Sequence, residues 1–195
     1  MKSQKAHVSY FIFTVLFLAV LMTGDLSAHC DGVDGPVVNA ARKALKTNNI
    51  NFILIWVQKP DEPRIREVFS DVMEVRKLNE KARNLADTYL FETLVRIHRA
   101  GEGEPYTGLK QAGRDLGPVI PAADIAIEKG NIDPLLKAFE GKEIPVAQVK
   151  QHFNEVLKRR NYDINDVEAG RDYVKHYVEF LHHAEELYDG HHEGS

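Results

Sequence analysis

The chain has 195 residues, of which 44% are hydrophobic and 28% charged, with a formal net charge of −4 and one cysteine. The acidic balance excludes a nucleic-acid partner of the kind held by a basic stripe. A lone cysteine excludes an internal disulfide and thiol-disulfide exchange within one chain, and the length suits one domain with a sizeable core.

At the start, Lys2 and Lys5 precede an apolar run from Phe11 to Met22, followed by Thr23, Gly24, Asp25, Leu26, Ser27 and Ala28. This basic, apolar, small-residue order predicts a cleavable secretory signal peptide over residues 1–28. This run of 12 residues falls short of the roughly 20 that a bilayer-spanning helix needs. A permanent anchor is the competing reading. The expected product is exported, periplasmic or extracellular, free of a stable membrane anchor after processing, and begins at His29. Lipoprotein processing at Cys30 is disfavoured, because His29 stands where a small residue is expected.

Residues 29–190 read as a single all-α domain, a helical bundle, and 191–195 as a polar, disordered tail. An internal echo organises the bundle. Gly35-Pro36-Val37-Val38-Asn39-Ala40-Ala41 returns 82 residues later as Gly117-Pro118-Val119-Ile120-Pro121-Ala122-Ala123, and Asn49-Ile50-Asn51 returns as Asn131-Ile132-Asp133. Two tandem similar halves are expected, about 35–100 and 117–188, joined by a connector over 101–116. Each opens with a helix ended near Asn48 or Gly130, a two-residue turn, and a short helix capped by Asn51 or Asp133. Phe52 to Val57 alone suits a buried strand equally well; its counterpart, Pro134 to Phe139, reads as helical and decides for helix.

Two longer helices follow in each half: Pro63 to Leu78 and Asn79 to Ala100, then Pro145 to Arg160 and Asp166 to Tyr188. At a later offset of 84, Phe69 pairs with Phe153, Tyr89 with Tyr173 and His98 with His182. Chance similarity between amphipathic helices is the plain alternative to duplication. The glycine-rich connector lacks the Lys-Ser/Thr ending and the strand-to-helix setting of a phosphate loop, so no nucleotide cofactor is expected.

The chemistry-bearing residues cluster at the expected mature terminus. Cleavage after Ala28 gives His29 a free α-amine, so that one residue offers two nitrogens beside the Cys30 thiol. Asp31 and Asp34 add carboxylates, while Gly32 and Gly35 let the backbone wrap. Such a hook suits a transition metal ion: nickel, copper or iron. An inert, flexible terminus is the alternative. His98 and His182, at matching positions of the echo, are candidates to complete the site. His176, Glu179 and His183 share a border of the last helix and form a weaker set, more simply read as surface residues. Glu92 and Arg96 read as an i, i+4 ion pair.

Ala28 to Pro36, Phe91 to Gly103 and Pro105 to Lys110 together resemble a family of exported bacterial proteins of unknown function, which implies bacterial origin and no activity. The terminal His29-Cys30-Asp31, followed by a turn and a bundle, is similar to nickel superoxide dismutase. That resemblance implies nickel held by the terminal amine, the next amide, two thiolates and the terminal imidazole. His29 and Cys30 match, whereas Asp34 stands where the second thiolate would be. A copper site on His29 and one bundle histidine is an equal variant. Two functions are thus expected: an exported metal-binding bundle, redox-active in the manner of a superoxide dismutase, or a non-catalytic cell-envelope module whose loop from Gly101 to Pro121 contacts a partner. The sequence names neither that partner nor the oligomeric state, a homo-oligomer being one option.

Overall fold

Every regular element between His29 and Gly190, the residues that this computed structural model describes, is helical. The signal peptide expected over 1–28 and the tail over 191–195 lie outside the described residues. Eight α-helices follow in order: α1 Pro36–Thr47, α2 Asn51–Leu54, α3 Glu62–Val75, α4 Glu80–Glu102, α5 Val119–Lys129, α6 Asp133–Ala138, α7 Val146–Arg159 and α8 Val167–Asp189, with a 3-10 turn at Lys59–Asp61 before α3. The all-α bundle is as expected, and the four longer helices start and stop within a few residues of the expected bounds.

Apolar spacing explains which face each helix buries. Val37, Val38, Ala41, Ala44 and Leu45 line one side of α1. Ile65, Val68, Phe69 and Val72 do the same for α3, and Val149, Phe153 and Val156 for α7. These are the one-, three- and four-residue steps of a stripe facing the core. α3 packs along α4 and α7 along α8, while α1 lies on α4 and α5 on α8.

The turns of the echo recur with the same hydrogen bonds. Asn48 ends α1 in the left-handed region at φ 51° and Gly130 ends α5 at φ 65°. Asn49 N–H donates to the Ala44 carbonyl and Asn131 N–H to that of Ala126, both at 3.1 Å. The expected caps differ in detail. Asn51 and Asp133 already belong to the helices, and their amides donate to the side-chain oxygens of Asn49 and Asn131, both at 3.0 Å. The side chain two residues earlier has the reach to satisfy the first free amide, which the residue's own side chain lacks.

The apolar segment after Asn51 is helical only to Leu54; Ile55, Trp56 and Val57 continue as a buried turn. α8 closes on it through Gly170, where a Cβ would lie 2.3 Å from Ile55 Cγ2. Beside that contact Arg171 donates to the Val57 carbonyl at 2.8 Å and pairs with Glu62. The open carbonyls at the end of α2 are thereby satisfied from the other end of the chain. No helix among the described residues is long and apolar enough to cross a membrane.

Candidate metal site and adjoining cleft

The segment before α1 is a tight hook. Gly35 N–H donates to the Gly32 carbonyl at 2.9 Å. Val33 N–H donates to the Lys110 carbonyl at 3.0 Å and Lys110 N–H to the Asp31 carbonyl at 2.9 Å, an isolated parallel bridge that fastens the hook to the connector. Asp34 Oδ2 accepts from Gly113 N–H at 2.8 Å, which holds its carboxyl below the usual range. The hook is therefore seated on the bundle.

The seat fixes the ring of His29. Its Nε2 lies 3.1 Å from the Tyr177 hydroxyl and 3.1 Å from Asp124 Oδ2. The single proton of Tyr177 goes to Asp124 Oδ1 at 2.8 Å. Both neighbours of Nε2 therefore accept, so in the neutral ring Nε2 carries the hydrogen and Nδ1 is a bare lone pair. That Nδ1 is buried and has no hydrogen-bond partner.

Beside it is a cavity of about 10 Å³ lined by His29, Cys30, His182 and Glu185 among apolar neighbours, room for one water-sized occupant. Cys30 is 6% exposed; burial, reinforced by the carboxylates of Glu102 and Asp31, pushes its thiol well up and keeps it protonated. The Glu185 carboxyl is pushed up to about 7, by burial and then by Asp189, with His29 opposing.

On the other side of His182 opens a cleft of about 640 Å³ between the Trp56 turn, the end of α4 and α8. His98 lies in its wall, 4% exposed. Its Nδ1 donates to the Trp56 carbonyl at 2.9 Å, and burial lowers its pKa, partly offset by Glu102. Its Nε2 has no hydrogen-bond partner and stands 3.4 Å from Glu102 Oε1. Arg99, equally buried, reaches Asp31 at 3.5 Å and Glu102 at 3.3 Å, joining hook to cleft by charge.

The residues singled out in the sequence are thus divided between several places. His29, Cys30 and His182 share the small cavity, and His98, Glu179 and His182 line the cleft. Asp31 is turned to Arg99 and Asp34 to Gly113, so neither carboxylate points with Cys30. His176 donates to the Asp172 carbonyl at 2.7 Å, while His183 packs against His152 with the rings tilted and their centroids 4.6 Å apart. Glu92 accepts from Tyr106 of the connector, the contact taken in place of the expected pairing with Arg96. Among the described residues, no three His, Cys, Asp or Glu side chains already stand together as a metal-holding group.

Asp124, Tyr177, Glu185 and Trp56 were not anticipated. Asp124 did carry a signal, being the one acid in the first two turns of the apolar α5. Tyr177 did not, since its position on the apolar face of α8 reads as packing.

The chain belongs to a family of unknown function (DUF6448), whose profile matches residues 34–183. The match takes in all eight helices except the last residues of α8 and begins just after Val33. No curated protein and no solved structure matches the chain.

Proposed function

We propose that this protein is an exported transition-metal-binding protein whose centre is built on His29 once the chain has been cut after Ala28. The carrying observation is the ring of His29, with Nε2 held by Asp124 and Tyr177 and Nδ1 buried as an unpartnered lone pair. Metal-ligating histidines have this signature, their other ring nitrogen donating to a carboxylate that fixes tautomer and orientation. A free α-amine on the same residue would close a six-membered chelate ring with Nδ1. His182 and Glu185 across the cavity offer a further nitrogen and oxygen, and a cation there would favour the Cys30 thiolate that burial now opposes. Nitrogen and sulfur donors of this kind suit copper or nickel, and a metal that changes oxidation state supports one-electron chemistry such as superoxide dismutation.

The test is intact-mass and elemental analysis of the protein purified after processing in an exporting bacterial host. The expected result is a chain starting at His29 with close to one equivalent of copper or nickel, lost in His29→Ala and when one extra alanine precedes His29. A metal-free chain, or metal that survives the added alanine, overturns it.

The second reading is a non-catalytic cell-envelope module with the hook as an anchor. It draws on the protonated, buried Cys30 and the charge link from Asp31 to Arg99, both of which a purely structural hook accounts for. It predicts no stoichiometric metal and normal folding of the extended chain.

A further inference from the structure

The cleft beyond His182 has a chemistry of its own. A volume of about 640 Å³ lies within the range of small-molecule sites. Its floor is apolar, made by Ile55, Trp56, Val57, Val174 and Val178, and its rim carries five carboxylates against Arg171 and Lys175, with Arg99 behind two of them, Glu102 and Glu104, so that acid still outnumbers base. Arg171 is already committed to Glu62, Glu168 and the carbonyls of Leu54 and Val57.

Deepest in the wall is an unfinished contact. His98 Nδ1 faces a carbonyl, which can only accept, so Nδ1 carries the hydrogen and the neutral ring presents a bare Nε2. Glu102 Oε1 confronts that lone pair at 3.4 Å. Two acceptors thus meet with no donor between them: Arg99 Nη1 reaches the other oxygen of Glu102 at 3.3 Å, and a further cation at the 18% exposed Glu102 completes the pair where an anion worsens it.

We infer that this cleft binds a small organic amine, its ammonium group directed to the Glu102 carboxylate beside His98 and its apolar body lying against Trp56, Val174 and Val178. The ammonium gives Glu102 a donor on the cleft side and faces the acidic rim, while the body gains the apolar floor. Binding of this kind does not require a metal at His29.

Trp56 is the only tryptophan and sits edge-on to His98 with ring centroids 5.5 Å apart, so its fluorescence reports on the cleft. The experiment titrates the protein, with a chelator present, using 2-phenylethylamine and, as anionic and neutral counterparts, 3-phenylpropanoate and 2-phenylethanol. The expected result is a saturable change with the amine, at least about tenfold weaker binding of the other two, and about a tenfold loss of amine affinity in Glu102→Gln, the scale of one charged hydrogen bond. Circular dichroism checks the fold of that variant, and the ligand series on the unaltered protein needs no variant. No saturable signal, equal binding of the anion, or a folded Glu102→Gln that binds the amine undiminished overturns the inference. The chelator keeps the outcome independent of whether His29 holds a metal.

Discussion

Gly35 stands so close to His29 that a Cβ on it would lie 2.2 Å from the His29 carbonyl oxygen. The obstructing atom is backbone, so no side-chain rotation relieves the clash. Gly35→Ala is expected to cost about 1–3 kcal/mol, the range for overpacking a rigid contact. The hook should also lift from the connector. Faster amide hydrogen exchange at Val33 and Lys110, with the α-helical amides unaffected, is the check; unchanged exchange at both would mean that the turn accommodates the methyl group.

Tyr177→Phe removes one hydroxyl from a site with little other disturbance, as the ring stays in its place beside Trp56 and Tyr173. Asp124 then loses a donor and His29 an acceptor. A stability loss of about 1–2 kcal/mol is expected from chemical denaturation. If His29 holds a metal, affinity should fall about 10- to 100-fold as its orientation loosens. Equal stability loss with unchanged metal affinity would assign the tyrosine to packing alone.

The pair formed by Glu62 and Arg171 joins the start of α3 to α8, with side chains 19% and 14% exposed. Arg171 first, and then Arg66, hold the Glu62 carboxyl below its ordinary value. A carboxyl depressed in the folded state contributes stability that is fully present above its unfolded pKa and is lost as pH falls through the folded pKa. Glu62→Gln should therefore be less stable than the parent by about 1–2 kcal/mol at neutral pH. The gap should stay constant down to pH of about 5 and close below about 4, as read from denaturation at each pH. A gap that widens on acidification would contradict the assignment.

Gly170→Ala addresses the contact between the two ends of the chain. The new methyl carbon would fall 2.3 Å from Ile55 Cγ2 and 3.0 Å from Tyr162. Alanine favours a helix by about 1 kcal/mol over glycine, yet overpacking opposes it by about 1–3 kcal/mol. A net loss in melting temperature is expected. A gain would show that Ile55 moves aside freely.

The helices were legible because their apolar residues recur at helical steps and because Asn48 and Gly130 mark their ends. The segment from Phe52 to Val57 was legible only through its counterpart at Pro134, and even so its helix stops at Leu54, where carbonyls turn to Arg171. At the candidate site, His29, Cys30 and His182 stood out as rare, chemically capable residues. Their partners did not. Tyr177 and Asp124 serve the site through a tertiary approach between α5 and α8 that no local spacing records. Proximity in sequence makes Asp31 and Asp34 look like ligands, but a buried guanidinium and a loop amide claim them.

The hook's fastenings also set an order of events. Its first residues leave the ribosome ahead of every element they rest on: the Lys110 strand-like contact, then α5 with Asp124, and last α8, whose Tyr177 is 148 positions from His29. Closing so large a loop carries an entropic cost that is recovered only when both ends are already shaped. Among the described residues the stretch made earliest must wait for the stretch made latest, and until they meet Cys30 lacks the burial that the folded hook gives it.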